Sequence, residues 1–268
     1  MLSKNQIKYI RQLEMKKFRK RESLFVAEGP KVVGDLMRRY QPTAIFATKE
    51  WIQESGDRSQ ITAVTEITDD ELRRISFLQH PQQVLALFPI PATPSTAAAN
   101  SCVPSVASDQ RSSASLFTLH SSLSLALDGI QDPGNLGTII RIADWFGIDT
   151  IYCSEDTADA YSPKVVQATM GSLAHVHIIY TDLIRLFEAL PPSYPIYGTL
   201  LDGDDIYQQP LTPHGIIVMG NEGNGISEAV RQKVNHRLLI PSFNAGDRAE
   251  SLNVAIATAI TCSEFRRR

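Results

Sequence analysis

Residues 127–147 read LDGIQDPGNLGTIIRIADWFG, and this stretch constrains the fold more than any other. A short apolar run over 123–127 ends at Asp128-Gly129, a turn signal, and Asp132-Pro133-Gly134 adds a second. Asn135 then stands at an expected helix N-cap, ahead of Leu136, Ile139, Ile140, Ala143 and Phe146 on one helical face. Arg141 lies about 140° round from Leu136 and so points away from that face. A strand turning through glycine into a helix is a building block of parallel α/β sheets, which bind ligands at such turns.

The pattern repeats on both sides. Upstream, a helix is expected over 3–18, with Ile7, Ile10 and Leu13 as its apolar stripe. Strands follow at 24–27, 44–47, 61–64 and 84–88, with a helix through Val32, Val33 and Leu36 after Gly29-Pro30. Thr68 caps another helix through Leu72, Ile75 and Leu78, with Asp69, Asp70 and Glu71 in a first turn that favours acids. Residues 1–88 therefore read as a small α/β domain.

Residues 89–115 are dominated by Pro, Ala, Ser and Thr, and read as a flexible linker. As a coil they would span roughly 30 Å, enough for the flanking domains to move apart unless they dock. Residues 116–268 form the second expected domain. Its strands fall at 123–127, 148–153, 174–179, 194–199, 216–219 and 237–240, and its helices at 136–146, 163–170, 182–190, 227–234 and 251–265. Such alternation gives a mostly parallel sheet with helices on both faces.

The net charge of −3 hides an asymmetry: residues 1–39 carry eleven Lys/Arg against four Asp/Glu, a net of +7. The run Lys16-Lys17-Phe18-Arg19-Lys20-Arg21 is its densest part. A phosphate-backbone contact and a solvated helix face fit that run equally well. Cys102, Cys153 and Cys262 form no CxxC pair, which argues against a disulfide framework or zinc site and fits a reducing, cytoplasmic setting. The histidines at 80, 120, 175, 177, 214 and 236 show no metal spacing, so no metal is expected. No apolar run approaches a membrane span, and no signal-peptide pattern opens the chain.

Two further loops carry polar residues beside glycines or caps. GNEGNGIS, residues 220–227, follows an apolar strand; its spacing matches neither GxGxxG nor GxxxxGK[ST]. Alone it fits a tight turn as well as a nucleotide site. After Pro241 an irregular loop reaches Glu250-Ser251-Leu252-Asn253, where Ser251 is the expected N-cap of a helix whose Leu252, Ile256, Ala259 and Ile260 share a face. Core packing accounts for that helix but not for Glu250 or Asn253.

Taken together, NLGTIIR (135–141), GNEGNGIS (220–227) and IP…ESLNVAIATAI (240–260) resemble the three ordered motifs of the SpoU (TrmH-type) RNA ribose methyltransferases of the SPOUT class. Residues 1–88, with FVAEGPKVV, are similar to that family's N-terminal RNA-binding domain. The resemblance implies an α/β fold whose C-terminal segment threads a loop into a deep trefoil knot, which generic folding rules would exclude. It implies S-adenosyl-L-methionine as cofactor, held largely by backbone groups at Gly220, Ile240, Ser251 and Leu252, with Thr199 at the end of the preceding strand. It also implies a homodimer packed through the knots, in which Arg141 serves a site completed by the other subunit. One departure stands out: nine residues, 242–250, separate Ile-Pro from Ser-Leu-Asn, where the family has a shorter loop.

The implied reaction is methyl transfer to a ribose 2′-hydroxyl, a poor nucleophile near neutral pH. Arg141 would grip the phosphate beside the target ribose and orient its hydroxyl, with Asn135, Glu222 and Asn253 holding guanidinium and sugar. Ribosomal RNA is the first expected substrate and transfer RNA the second. The competing class is an RNA-binding or assembly protein with a retired site. A Rossmann-type NAD enzyme would need a GxGxxG after the first strand, which is absent.

Overall fold

A computed structural model describes residues 1–54, 64–91, 122–243 and 251–267. The expected linker beyond residue 91, strand residues 61–63 and Glu250 lie outside them. The chain forms two compact units: Met1–Pro91 with Asp159–His175, and Ala92–Ala158 with Val176–Arg268. Asp159–His175, which the sequence assigned to the second domain, thus belongs with the first unit.

In the first unit, β1 (Leu24–Glu28), β4 (Val84–Pro89), β2 (Ala44–Ala47) and β3 (Val64–Glu66) form a sheet in the order β1-β4-β2-β3. Only β2 and β3 run parallel. The single helix expected over 3–18 is two, α1 (Lys4–Gln12) and α2 (Lys16–Glu22). The break has a visible cause: Arg19 is buried, and its Nη1 donates to the carbonyls of Leu13 and Glu14 at 2.7 and 2.6 Å. Those carbonyls leave the helical ladder and need a donor. The other side of the same guanidinium pairs with Asp159 Oδ2, from Nη2 at 2.6 Å and Nε at 3.2 Å.

Three more helices complete this run: α3 (Pro30–Met37), α4 (Lys49–Glu54), which the sequence pattern did not show, and α5 (Asp69–Ile75). Thr68 and Glu71 form the capping box of α5, as its sequence suggests, but the helix stops three residues short of Leu78.

The second unit is built on a six-stranded parallel sheet, ordered β10-β8-β9-β5-β6-β7. These strands are β5 (Leu123–Asp128), β6 (Thr150–Cys153), β7 (His177–Tyr180), β8 (Ile196–Asp205), β9 (Gly215–Gly220) and β10 (His236–Leu239). β5 and β9 are buried along their whole length, which suits central strands covered on both faces. The helices are α6 (Pro133–Trp145), α7 (Pro163–Ala168, of the first unit), α8 (Leu183–Glu188), α9 (Glu228–Arg231) and α10 (Val254–Arg267). α10 lies against α6, and Arg266 at its end donates to the carbonyls of Phe146 and Gly147 at 2.8 and 3.0 Å.

β8 is longer than expected and interrupted. Its Gly198 pairs with Arg237 of β10 and the next pair is Asp204 with Leu238, so residues 199–203 swing out of that ladder. Thr199, expected at a strand end, therefore sits where β8 leaves β10.

Candidate functional site

Three loops meet at the C-terminal ends of β5, β9 and β10, the edge where parallel sheets place their ligands. The first begins at Asp128 and enters α6. Its cap is Asp132, not Asn135: Asp132 Oδ1 accepts Asn135 N–H at 2.8 Å, and Pro133 occupies the first helical position. Proline suits that position because its fixed φ is helical and its missing N–H would be unpaired there anyway. Asn135 is left in the first helical turn with its carboxamide free of capping.

The second loop follows β9. Asn221 and Gly225 bond each other's N–H and C=O at 2.9 Å, closing a turn around Glu222, Gly223 and Asn224. Gly220 is required by packing: a Cβ there would lie 2.2 Å from Gly225 C and Ile226 N. Gly225 is required by conformation, with φ 69° in the left-handed region. The third segment precedes α10, where Asn253 rather than Ser251 is the cap. Asn253 Oδ1 accepts the N–H groups of Ala255 and Ile256 at 3.0 and 3.3 Å.

Hydrogen bonds join the three segments into one chain of fixed polarity. Asn253 has spent its oxygen on the helix, so its Nδ2 faces outward and donates to Asn135 Oδ1 at 2.9 Å. Asn135 Nδ2 then donates to Glu222 Oε1 at 3.0 Å. Glu222 Oε1 also accepts Asp132 N–H at 3.2 Å, and its Oε2 accepts Gln131 N–H at 3.3 Å. Burial raises the Glu222 pKa, but the Asn135 side chain and the backbone N–H groups of Glu222, Gln131 and Asp132 outweigh it and hold the carboxyl below its ordinary value. The carboxylate stays ionised and keeps the relay pointing one way.

Asn135, Glu222 and Asn253 are thus brought together. Arg141 is one to two turns further along α6 and exposed, and no hydrogen bond or ion pair among the described residues engages its guanidinium. Of the residues expected to hold a cofactor, Gly220 is buried at the end of β9, and Ile240 is half-buried just past β10. Thr199 is half-buried and donates to Val218 O at 3.1 Å, while Ser251 and Leu252 are exposed before α10. Two anchors lay outside the sequence-based list: Asn221, whose Nδ2 donates to Gly129 O at 2.7 Å, and Asp128, whose Oδ2 accepts Ser227 N–H at 2.7 Å. An amide or carboxylate beside a turn glycine was the available signal for both.

Neither described cysteine offers a nucleophile. Burial pushes the Cys262 thiol up to about 12, and Cys153, fully buried, is raised further by the same cause.

The family model for SpoU rRNA methylases matches residues 122–263, and that for the MRM3-like substrate binding domain matches residues 4–86. The chain is 28% identical to the 23S rRNA (guanosine(2553)-2′-O)-methyltransferase RlmP of Bacillus subtilis, over 98% of its own length and 97% of that protein's. Among solved structures, a TrmH-family protein from Porphyromonas gingivalis is 40% identical, with a TM-score of 0.83 over 100% of this chain and 99% of that one. An AdoMet-bound rRNA methyltransferase from Sinorhizobium meliloti is 29% identical, with a TM-score of 0.81 over 100% and 96% of the two chains. Sequence match, fold and the joined motif loops lead to one assignment: the chain belongs to the SpoU rRNA methylase family.

Proposed function

We propose that this chain transfers a methyl group from S-adenosylmethionine to the 2′-hydroxyl of a ribose in ribosomal RNA. The observation that carries the reading is the Asn253–Asn135–Glu222 relay, which ties three loops of one sheet edge into a single ordered polar surface. The full-length similarity to an rRNA 2′-O-methyltransferase favours ribosomal over transfer RNA.

The residues at this edge fit the cofactor. Thr199, Gly220, Ile240, Ser251 and Leu252 are uncharged; Thr199 sits where β8 leaves the β10 ladder, Gly220 ends β9 and Ile240 follows β10. Uncharged residues suit direct contact with a sulfonium cation. When bound, S-adenosylmethionine supplies an electrophilic methyl group.

Arg141 grips the phosphate next to the target ribose and orients its hydroxyl for in-line attack. A literal base role would require a guanidinium to lose its proton, which positioning does not. Glu222, kept ionised, fixes Asn135, and Asn135 and Asn253 present amide groups to the ribose and to the arginine.

Arg141 has no partner within its own described surroundings, which supports a site completed by a second copy. Trp145 near the end of α6 and Leu252 and Ile256 at the start of α10 are 85%, 52% and 52% exposed, apolar side chains that a homodimer could cover. The same reading places a trefoil knot between β8 and the C-terminus and the protein in the cytoplasm. RNA is gripped by the exposed lysines at 4, 8, 16, 17 and 20; Arg19 is withdrawn from that role by its burial.

Incubating the protein with labelled S-adenosylmethionine and under-methylated ribosomal RNA tests the reaction. Label in alkali-resistant dinucleotides is expected. Label in a base, or no cofactor affinity by calorimetry, would overturn the proposal.

A further inference from the structure

Glu222 reaches Gln131, Asp132 and Asn135 across two adjacent loops, and its neighbour Asn221 ties those loops together. The Asn221 side chain works in two directions. Its Oδ1 accepts Gly223 and Asn224 N–H at 2.9 and 3.0 Å, folding its own turn. Its Nδ2 donates to Gly129 O, 2.7 Å away in the loop after β5. Gly129 is itself anchored: its N–H donates to Ser154 Oγ at 2.8 Å, and its φ of 71° lies in the left-handed region that favours glycine. A second tie, from Ser227 N–H to Asp128 Oδ2, closes the far side of the same turn.

We propose that Asn221 is a positioning residue for methyl transfer: it fixes Glu222 against residues 129–135, and through Glu222 the orientation of the Asn135 carboxamide. Its kinetic consequence rests on the function proposed above; the loop coupling does not. The chemistry is specific to a carboxamide, which supplies acceptor and donor from one short side chain. Serine keeps an acceptor for the turn but cannot reach across. Aspartate keeps the acceptor and sets a second, anionic oxygen against Gly129 O. Protonating that oxygen restores the donor.

The test uses the full chain with Asn221→Ser and Asn221→Asp, read by hydrogen exchange and by methyl transfer. In Asn221→Ser, exchange at the Gln131 and Asp132 amides is expected to quicken about tenfold or more, with β5 unchanged. Its kcat should fall about tenfold or more, while KM for RNA and cofactor stays within about twofold. For Asn221→Asp, the rate relative to wild type should climb as pH falls, because acid returns the missing donor. Unchanged exchange at Gln131 and Asp132 in Asn221→Ser, or a pH-independent Asn221→Asp ratio, would overturn the proposal. Should the wild-type protein transfer no methyl group, the proposed function fails and the exchange measurement alone decides the coupling.

Discussion

Asn135 is free to join the relay because Asp132 has taken over the capping of α6. Both are good capping residues, so the sequence pointed to the right asparagine through the wrong position; Pro133 settles the matter by fitting only the first helical turn. The same displacement, from Ser251 to Asn253, gives α10 its cap and turns Asn253 Nδ2 toward Asn135. The relay rests on an ionised Glu222. A carboxyl held below its ordinary value contributes fully above that value, and its contribution is lost as pH falls through the lowered one. The acid limb of kcat should therefore lie below the ordinary glutamate range. Glu222→Gln should lower kcat on the order of 10- to 100-fold and flatten that limb, as a pH–rate series would show. An unchanged acid limb in Glu222→Gln would remove Glu222 from it.

At the scale of elements, charge pattern and burial part company in α2. The run from Lys16 to Arg21 reads as one basic block, yet Arg19 turns inward to hold Asp159 and two helix-end carbonyls. Nothing in the spacing separates it from its neighbours, because the partner lies 140 residues away. Arg19→Ala leaves a largely buried carboxylate and two carbonyls without their donor, a cost of about 3–5 kcal/mol in chemical denaturation. Replacing Lys16, Lys17 and Lys20 by alanine should instead leave stability within about 0.5 kcal/mol per site. It should lower the slope of log affinity for single-stranded RNA against log salt by about 2. An Arg19→Ala protein of wild-type stability, or an unchanged salt slope in the lysine variant, would contradict this division of labour.

Across the whole molecule, the parallel second sheet was legible because central strands such as β5 and β9 are near-continuous apolar runs; of the expected 61–64 strand only Val64 lies among the described residues, and β8 runs six residues beyond its expected end. Periodicity could not show which unit a segment joins. The 163–170 helix was foreseen, but its membership of the first unit follows from contacts such as the Phe25 and Tyr161 rings, 5.2 Å apart. Nor could it show the five residues of β8 that leave the β10 ladder. Oligomeric state belongs to this scale too. Sedimentation should find a dimer, and Trp145→Ala with Ile256→Asp should shift it to monomer and abolish turnover, if Arg141 completes the neighbouring site. A fully active monomer would rule that out.

Ribose methylation by this site is tested by labelled methyl transfer to under-methylated ribosomal RNA by wild type and Arg141→Ala, with cofactor affinity measured on both. Wild type should yield alkali-resistant labelled dinucleotides, and the mutant should lose on the order of 10²-fold or more at equal cofactor affinity. Equal turnover in the two proteins, or label found on a base, would contradict it.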